Sequence, residues 1–548
     1  MPRRRHEAFT PFSGSLSTSH TLDGMAETRD AAPVRMAELL ASLSLGIDLG
    51  FGQPMEHVLR QCLIALRLGE QIGLDESDRA TVYYTALLVN VGCHSDAHEQ
   101  ARWFGDDITM KSTKYEYEPF TVADAVAMVR LIGSGGTPLH RFRTGLEFAV
   151  GGYKEVNHMI EYHAALAREL GVQLGLPDDV LDALGASYER WDGRGWPGKL
   201  SADEIPMASR VAQLAEFVEV AYRVGGTDAA IEVAQKRRAT QFDPLLVDAL
   251  VLDAPKVFGH LDDVASWDAV IDSEPSLTIG LTENECDDAL CAIGRFVDLK
   301  SPYTGGHSLA VAELAAASAR ALGRPDDDVR LLHRAGLVHG FGRLGVSNSI
   351  WDKPGPLGAG EWERVRMYPY YTMRMLQQSP TLAPAGRVAV QQCERLDGSG
   401  YPRGLSGNAI SPSARVLGAA IAYQSMREPR AYREAKSPDD AAETLRAEVR
   451  AGRLEAEAVD AVLSAAGHRV TRRREGPAGL TTREVEVLRL AARGMPNKEI
   501  GKRLFISPKT AGNHIANIYT KIGVSNRAGA SLYAMQHGLL PEETYLDD

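Results

Sequence analysis

The chain has 548 residues, of which 44% are hydrophobic and 24% are charged, and its formal net charge is −12 at pH 7. These values are ordinary for globular protein, and the length predicts about three domains. The five cysteines are scattered, and no apolar run approaches the roughly 18 residues of a membrane span. The composition therefore excludes a disulfide framework and a membrane-spanning protein. It predicts a cytoplasmic chain with reduced thiols and no membrane partner.

The first segment, residues 1–34, opens with a basic run and then becomes rich in Ser and Thr. It lacks the apolar core of a signal peptide. We predict that this segment is disordered. The sequence leaves open whether Met1, Met25 or Met36 is the true start.

The middle of the chain contains two copies of one pattern. Upstream landmarks recur at a constant offset: His57, Gly73 and Gly92 match His307, Gly323 and Gly342. A downstream loop also recurs, since residues 189–197 match residues 394–402. Between these landmarks lie Ala- and Leu-rich stretches with helical periodicity, whereas strand signals are scarce. The pattern predicts an all-α fold with a first copy at 35–270 and a second copy at 280–468.

The second copy carries several short motifs, namely Pro302-Tyr-Thr, Gly306-His-Ser, Leu337-Val-His-Gly and Asp397-Gly-Ser-Gly-Tyr-Pro. On these motifs it resembles the HD-GYP family of metal-dependent phosphohydrolases, and the first copy is a more distant relative of the same pattern. The resemblance implies two tandem HD-domain-like helical bundles. In active members it also implies hydrolysis of cyclic di-GMP by two or three metal ions held by His and carboxylate side chains.

Most of the metal ligands that this resemblance implies are replaced. In the second copy His307 and His339 stand at ligand positions, but the other ligand positions hold Gly340, Tyr368, Gln391, Gln392, Cys393 and Ile421, and Arg343 stands where the family has a Lys. The first copy has Val89-Asn90 in place of the His-Asp pair. It keeps His57, and Glu216 stands where a later Asp is expected. We therefore predict no catalysis, no assignable catalytic residue and no cofactor.

A residual single-metal site in the first copy is the alternative. It would use His57, Glu216 and one member of a nearby polar cluster: Cys93, His94, Asp96, His98 and Glu99. His158 and His163 lie five apart, which does not place them on one helix face. The competing interpretation is a polar loop with His57 as a core histidine, because no tight ligand spacing is visible. A divalent Fe, Mn or Zn ion is expected only if this residual site, or the pair His307 and His339, binds metal.

Both copies keep a loop of the GYP type. Its residues are Gly193, Gly195, Trp196 and Pro197 in the first copy, and Gly398, Gly400, Tyr401 and Pro402 in the second. Glycine permits positive φ, and an aromatic-Pro pair favours a defined turn. Such loops indicate either a binding or allosteric role or simple maintenance of the fold, and the sequence leaves both open.

An Arg-rich linker, 469–479, leads to a basic C-terminal segment in which nine Lys or Arg residues stand against three Glu. Thr481 and Glu484 have the spacing of a capping box. Ser507 is a good N-cap, and Pro508 suits the first helical position. These signals predict a helix-turn-helix unit with its third helix at about 508–522.

That third helix and the helix before it carry side chains suited to phosphates and base edges. The predicted DNA-binding residues are Lys498, Lys509, Thr510, Asn513, His514, Asn517 and Lys521. The segment 480–540 resembles the C-terminal domain of LuxR-type (FixJ/NarL-like) transcription regulators. The resemblance implies a four-helix unit whose third helix enters the major groove and whose fourth helix pairs two copies. Pro496 and Gly512 depart from the usual pattern.

The leading hypothesis is a sequence-specific transcription regulator that binds double-stranded DNA as a homodimer. Its two non-catalytic HD-GYP-like copies would sense an unknown small-molecule effector or protein partner. The alternative is a metal-dependent phosphohydrolase of the cyclic-dinucleotide phosphodiesterase type, fused to a DNA-binding output domain. A third hypothesis is a scaffold whose loops dock partners through Tyr401 or Trp196.

Overall fold

A computed structural model describes residues 34–115, 130–133, 137–148, 150, 153–275, 279–469, 477–504 and 506–540. The predicted disordered segment 1–34 lies outside these ranges except for its last residue, and so does most of the predicted linker 469–479. Within the described ranges the predicted all-α fold is confirmed. The strands found there, Val34–Arg35 and Gly280–Leu281, form one short antiparallel pair. In those same ranges, every helix is too short or too polar to cross a bilayer.

The first copy is built from helices joined by short turns. Its described helices are α1 (Met36–Gly50), α2 (His57–Gln71), α3 (Glu76–Leu88), α4 (Ala97–Phe104), α5 (Asp107–Ser112), α6 (Pro138–Glu147), α7 (Tyr153–Gln173), α8 (Asp178–Gly185), α9 (Met207–Lys236), α10 (Pro244–Leu252), α11 (Ala254–Phe258) and α12 (Ser266–Asp272). A 3-10 turn at Thr113–Tyr115 directly continues α5.

The second copy and the C-terminal unit follow the same plan. The second copy contains α13 (Glu283–Asp298), α14 (His307–Ala321), α15 (Asp326–Val338), α16 (Asn348–Trp351), α17 (Ala359–Leu376), α18 (Ala383–Ala389), α19 (Pro412–Arg427), α20 (Pro438–Arg450) and α21 (Ala456–Ala465). The C-terminal unit contains α22 (Thr482–Ala492), α23 (Asn497–Leu504), α24 (Pro508–Ile522) and α25 (Arg527–Gln536).

Helix α1 joins the two copies into one hydrophobic core. All of its residues except Glu38 and Leu49 are buried, which is the pattern of a helix covered on every side. It packs on α2 and α3 of the first copy and on α17 of the second. A Cβ added at Gly46 would lie 2.4 Å from Met375 Cε, so this glycine permits the close approach of α17. The two copies are therefore packed together rather than joined by a free linker.

The internal repeat is visible in the way corresponding helices begin. The buried carboxylate of Asp48 accepts a hydrogen bond from Val58 N at 3.0 Å, near the start of α2. Asp298 accepts one from Ser308 N at 2.8 Å, near the start of α14. Each aspartate thus satisfies an orphan N–H of the helix that opens with a candidate metal ligand. Asp48 and Asp298 stand at the same offset as the glycine and histidine landmarks.

A second equivalence comes from two glycines that follow α3 and α15. A Cβ added at Gly92 would lie 2.2 Å from the carbonyl oxygen of His163, and one added at Gly342 would lie 2.0 Å from that of Tyr368. Only glycine fits such contacts, so both are required by packing. They also identify His163 as the counterpart of Tyr368, which stands at the same offset as the two repeated loops.

Candidate nucleic-acid interface and candidate metal sites

The C-terminal unit forms because its helices have strong local start signals. Thr481 Oγ1 accepts a hydrogen bond from Glu484 N at 3.2 Å, and Glu484 Oε2 accepts one from Thr481 N at 2.7 Å. Ser507 Oγ accepts one from Thr510 N at 3.0 Å and starts α24. The two caps match the predicted ones. A separate small core holds the four helices together: Leu480, Val487, Leu488, Ile500, Ala511, Ile515, Ile518, Ala530, Ala534 and Leu539.

One face of this unit is exposed and basic. Of the predicted DNA-binding residues, Lys498, Lys509, Thr510, Asn513 and Asn517 are exposed and His514 is half-buried. Sequence reasoning did not single out Lys502 and Arg503, which are exposed at the end of α23. Within the described part of the chain, the salt bridges include none to Lys498, Lys502, Arg503 or Lys509. Their charges are available to DNA phosphates.

Lys521 differs from the other predicted DNA-binding residues. Its ammonium group donates to Glu484 Oε2 at 2.7 Å and to the carbonyl oxygen of Gly479 at 3.0 Å. It thereby ties α24 to the capping box of α22. The sequence pattern also left unexplained why a glycine, Gly512, lies inside the recognition helix. A Cβ there would lie 3.3 Å from Asn497 Nδ2, so the glycine lets the start of α23 approach α24.

In the first copy, a lysine ammonium lies among the candidate metal ligands. Lys114 Nζ donates to Glu216 Oε1 at 2.7 Å and to Asn90 Oδ1 at 3.1 Å. Tyr115 OH donates to Glu216 Oε1 at 2.9 Å and lies 3.5 Å from His57 Nε2. Burial would raise the pKa of Glu216, but the ammonium of Lys114 outweighs it and lowers that pKa below its ordinary value. The carboxylate is therefore ionised and already neutralised.

Aromatic rings surround the same ammonium. Lys114 Nζ lies 5.5–5.8 Å from the ring centroids of Phe51, Tyr115, Tyr188 and Phe217. Such contacts stabilise a cation through the negative faces of the rings. The aromatic rings and the Glu216 carboxylate together hold the Lys114 ammonium in place in the first copy.

His57 also has partners on both ring nitrogens. Its Nδ1 lies 2.5 Å from Glu219 Oε2, and its Nε2 faces Tyr115. Burial lowers the pKa of His57, but the Glu219 carboxylate more than compensates and raises it above the ordinary value. An imidazole with partners on both ring nitrogens, beside an ammonium, does not suit a divalent cation. The residues present in the first copy therefore do not fit the metal ions of the HD-GYP pattern.

The second copy keeps two imidazoles in an orientation suited to metal binding. His307 Nδ1 donates to Glu428 Oε2 at 2.8 Å, and His339 Nδ1 donates to the carbonyl oxygen of Gly336 at 2.6 Å. The two ring centroids lie 5.2 Å apart. Burial lowers the pKa of His339 to about 3, so this ring is neutral. Among the described residues, neither Nε2 has a hydrogen-bond partner.

Arg343 supplies a positive charge beside these imidazoles, where the HD-GYP pattern has a metal ion. Its guanidinium lies over the Trp351 ring, 4.4 Å from the centroid. Burial, followed by the nearby charge of Arg430, lowers the pKa of Arg343 below its ordinary value. Across the described residues, no three His, Cys, Asp or Glu side chains converge as a metal site. Two imidazoles beside a guanidinium, without a bridging carboxylate, do not fit a two-metal centre.

The polar cluster after α3 disperses instead of forming a ligand set. His94 bonds to the carbonyl oxygens of Val91 and Phe296, each at 2.7 Å, and its burial lowers its pKa to about 4. His98 pairs with Asp352 of the second copy at 2.8 Å. His158, also considered as a ligand, is exposed and lies 3.3 Å from Glu161. Cys93 and Asp96 instead flank His163.

The two GYP-type loops fold back on buried glutamates. Glu189 accepts hydrogen bonds from Gly198 N, Lys199 N and Leu200 N at 2.8–3.3 Å. In the second copy Glu394 accepts two such bonds, both at 2.8 Å, from Arg403 N and Leu405 N. A Cβ at Gly195 or Gly400 would lie 2.4–2.5 Å from neighbouring backbone atoms. The predicted glycines are thus needed for the turn itself, while Trp196 and Tyr401 are half-buried.

Comparison with known proteins agrees with these observations. A family model of the HD domain matches residues 153–246 and 292–457. The chain is 31% identical over 411 residues to 3'3'-cGAMP-specific phosphodiesterase 3 of Vibrio cholerae serotype O1, covering 74% of this chain and 89% of that protein. The chain belongs to the HD domain family. A model of bacterial regulatory proteins of the luxR family matches residues 478–534, so the chain also carries a LuxR-family domain.

A solved structure and a second relative support the HD assignment. The crystal structure of a cyclic GMP-AMP specific phosphodiesterase from V. cholerae aligns with a TM-score of 0.56 and 27% identity, covering 80% of this chain and 99% of that one. The cyclic di-GMP phosphodiesterase response regulator RpfG of Xanthomonas campestris is 30% identical over 179 residues. That match covers 32% of this chain and 47% of the relative. The two copies are therefore HD domains followed by a LuxR-family domain.

Proposed function

We propose that this HD-domain chain is a cytoplasmic transcription regulator that binds double-stranded DNA as a homodimer through α24. Its two HD copies bind a ligand or partner protein without hydrolysing it. They transmit that binding to the C-terminal unit by a change in how the helices pack. A coupling free energy of about 1–3 kcal/mol is enough for such a switch.

The observation that carries this proposal is the exposed face of α23 and α24. Lys498, Lys502, Arg503 and Lys509 supply unpaired positive charge there, and Asn513 and Asn517 supply exposed amides on the same helix-turn-helix unit. Cations position such a unit on phosphates, while amide side chains read adenine in the major groove. The match to the luxR family supports the same assignment.

The first test is DNA binding by the full chain after operator selection. Lys509→Ala should weaken binding to all DNA sequences and reduce the salt slope by about one. Asn513→Ala should instead cost about 1–3 kcal/mol at one base pair and leave the salt slope unchanged. Lys256→Ala removes an exposed charge from α11 of the first copy and serves as the control. If both α24 variants bind like this control, α24 is not the recognition helix.

The alternative function is hydrolysis of a cyclic dinucleotide, and the names of the relatives favour it. The ammonium of Lys114 and the guanidinium of Arg343 argue against it. We expect substoichiometric Fe, Mn and Zn in protein purified without chelators. We also expect no turnover of 3'3'-cGAMP or cyclic di-GMP with any of these metals. Turnover that is lost in His57→Ala or His307→Ala would establish the enzyme instead.

A further inference from the structure

Three of the side chains weighed above as metal ligands form a buried row of their own in the first copy. Cys93 Sγ lies 3.4 Å from His163 Nδ1, and His163 Nε2 lies 2.9 Å from Asp96 Oδ2. Their exposed fractions are only 5%, 4% and 7% in the order cysteine, histidine, aspartate. Tyr188 OH lies 2.7 Å from the sulfur. A nucleophile, a base and an orienting carboxylate thus stand in line.

The hydrogen bonds favour the charged form of the cysteine. The Asp96 carboxylate accepts a hydrogen bond from His163 Nε2. This bond fixes a proton on Nε2 and points Nδ1 towards the sulfur. Burial alone would lower the pKa of His163, but the facing Cys93 and Asp96 raise it to about 10. Burial alone would raise the pKa of Cys93, yet His163 and Lys114 lower it. The geometry and both shifts therefore favour a thiolate facing an imidazolium.

The other cysteines differ in their surroundings. Cys62 faces the carbonyl oxygen of Tyr83 at 3.8 Å, which accepts from a thiol. Cys393 lies 3.1 Å from Tyr368 OH, and burial raises its pKa. Burial also raises the pKa of both Cys286 and Cys291. Cys393 is the most useful comparison because it too bonds to a tyrosine, yet it has no imidazole partner.

We propose that Cys93 is an oxidation site at which small uncharged peroxides convert the thiolate to sulfenic acid. The sulfur attacks one peroxide oxygen, so that an S–O bond forms and the O–O bond breaks. The sulfur is oxidised by two electrons, and hydroxide leaves and takes the proton of the His163 imidazolium to become water. The near-complete burial of Cys93 excludes bulky or charged oxidants.

Oxidation at this position redistributes charge within the first copy. Sulfenic acid is neutral and His163 has given up its proton, so the net charge is unchanged, but Asp96 loses the cationic imidazolium that faced it. Tyr188 also contacts the caged ammonium of Lys114, since its ring centroid lies 5.5 Å from Nζ. Tyr188 therefore links Cys93 to the Lys114 ammonium, so oxidation of the sulfur changes a contact of the residue that lies beside that ammonium. This role goes beyond the proposed binding of a ligand or partner.

The test measures every cysteine in the full native chain after brief exposure to hydrogen peroxide. The reaction is quenched, the protein is denatured and alkylated, and the free fraction of each thiol is read by mass spectrometry. We expect Cys93 to oxidise at least about tenfold faster than Cys393 at pH 6, where an ordinary thiol is almost entirely protonated. Equal or slower oxidation of Cys93 overturns the proposal.

Two further measurements distinguish activation of the Cys93 thiol by His163 from simple solvent exposure of that thiol. The rate at Cys93 should stay nearly constant from pH 6 to 8, whereas an ordinary thiol gains about tenfold per pH unit in this range. His163→Gln, which keeps a polar amide, should slow Cys93 by about tenfold and restore that pH slope. Cys393→Ser should leave the Cys93 rate unchanged. If His163→Gln does not fold, the wild-type pH profile decides, and a tenfold slope per unit overturns the proposal.

Discussion

The two HD copies each place a side-chain cation beside candidate metal ligands, but they hold it differently. In the first copy, Lys114 donates to Glu216 and lies inside an aromatic cage. In the second copy, Arg343 lies over one tryptophan ring beside two imidazoles. The first arrangement is a closed ion pair, whereas the second is a cation without a carboxylate partner among the described residues. The comparison shows that equivalent regions of two related copies can hold a side-chain cation either by a carboxylate or by an aromatic ring.

The largest expected effect comes from breaking the first arrangement. Lys114→Met keeps the side-chain length but leaves Glu216 buried without its cation. Removal of one partner of a buried pair typically costs about 3–5 kcal/mol. We expect a loss of that size in the free energy of unfolding, measured by urea denaturation. Lys199→Met in an exposed loop is the control.

The double variant Lys114→Met with Glu216→Gln sharpens this test. Because it removes both charges together, it should recover part of the stability lost in the single variant. Equal stability of the single and double variants would show that Lys114 contributes through its cage and not through Glu216.

The second effect concerns a feature that the two copies share. Burial raises the pKa of Asp48 and that of Asp298, each to about 7. Each folded pKa lies above the unfolded value, so the folded state holds more protons between about pH 4 and 7, and stability falls as pH rises through this window. In Asp298→Asn the side chain is neutral at every pH, so this variant should lose less stability than the wild type as pH rises.

Stability measured from pH 4 to 8 checks this expectation. Relative to the wild type, Asp298→Asn should gain on the order of 2–4 kcal/mol from pH 4 to pH 7 and then level off. Asp48→Asn should behave alike, because its carboxylate caps the corresponding helix. A constant difference between variant and wild type across this pH range would contradict the raised pKa.

The smallest effect is expected at Arg343. Arg343→Met removes the guanidinium from the Trp351 ring but leaves no buried carboxylate unpaired. A single cation–π contact is worth about 0.5–2 kcal/mol, so we expect a loss of about 1 kcal/mol in the same urea experiment. If Arg343→Met lowers the free energy of unfolding as much as Lys114→Met does, Arg343 also neutralises a buried carboxylate and the two copies do not differ in this respect.

The C-terminal unit could be predicted closely from sequence because its signals are local. The predicted third helix at 508–522 agrees with the observed Pro508–Ile522, and the capping residues Thr481 and Ser507 were both identified. Each cap joins residues three apart, so the same spacing is visible in the sequence and in the hydrogen bonds. The role of Lys521 was not visible, since its partner Glu484 lies on another helix.

The candidate metal sites could be predicted only in part. The repeat identified His57 and His307, and the resemblance to the HD-GYP family identified Glu216 and His339. In the structure Tyr115 contacts both His57 and Glu216, and the rings of His307 and His339 contact each other. Lys114 and Tyr115 were missed because they belong to no motif and lie more than 100 residues from Glu216. One signal could have revealed Asp48, which stands at the same offset from Asp298 as the other repeated landmarks.

The all-α class, the internal repeat and the basic helix-turn-helix unit can be read from the amino-acid order alone. These depend on periodicity, caps and charge, which act over a few residues. The packing of α1 against both copies, the Lys114–Glu216 ion pair and the contact of His163 with Cys93 become visible only in the folded chain. Such partners are distant in sequence and meet only when the helices pack. They meet as pairs because a buried charge is costly unless another group compensates it.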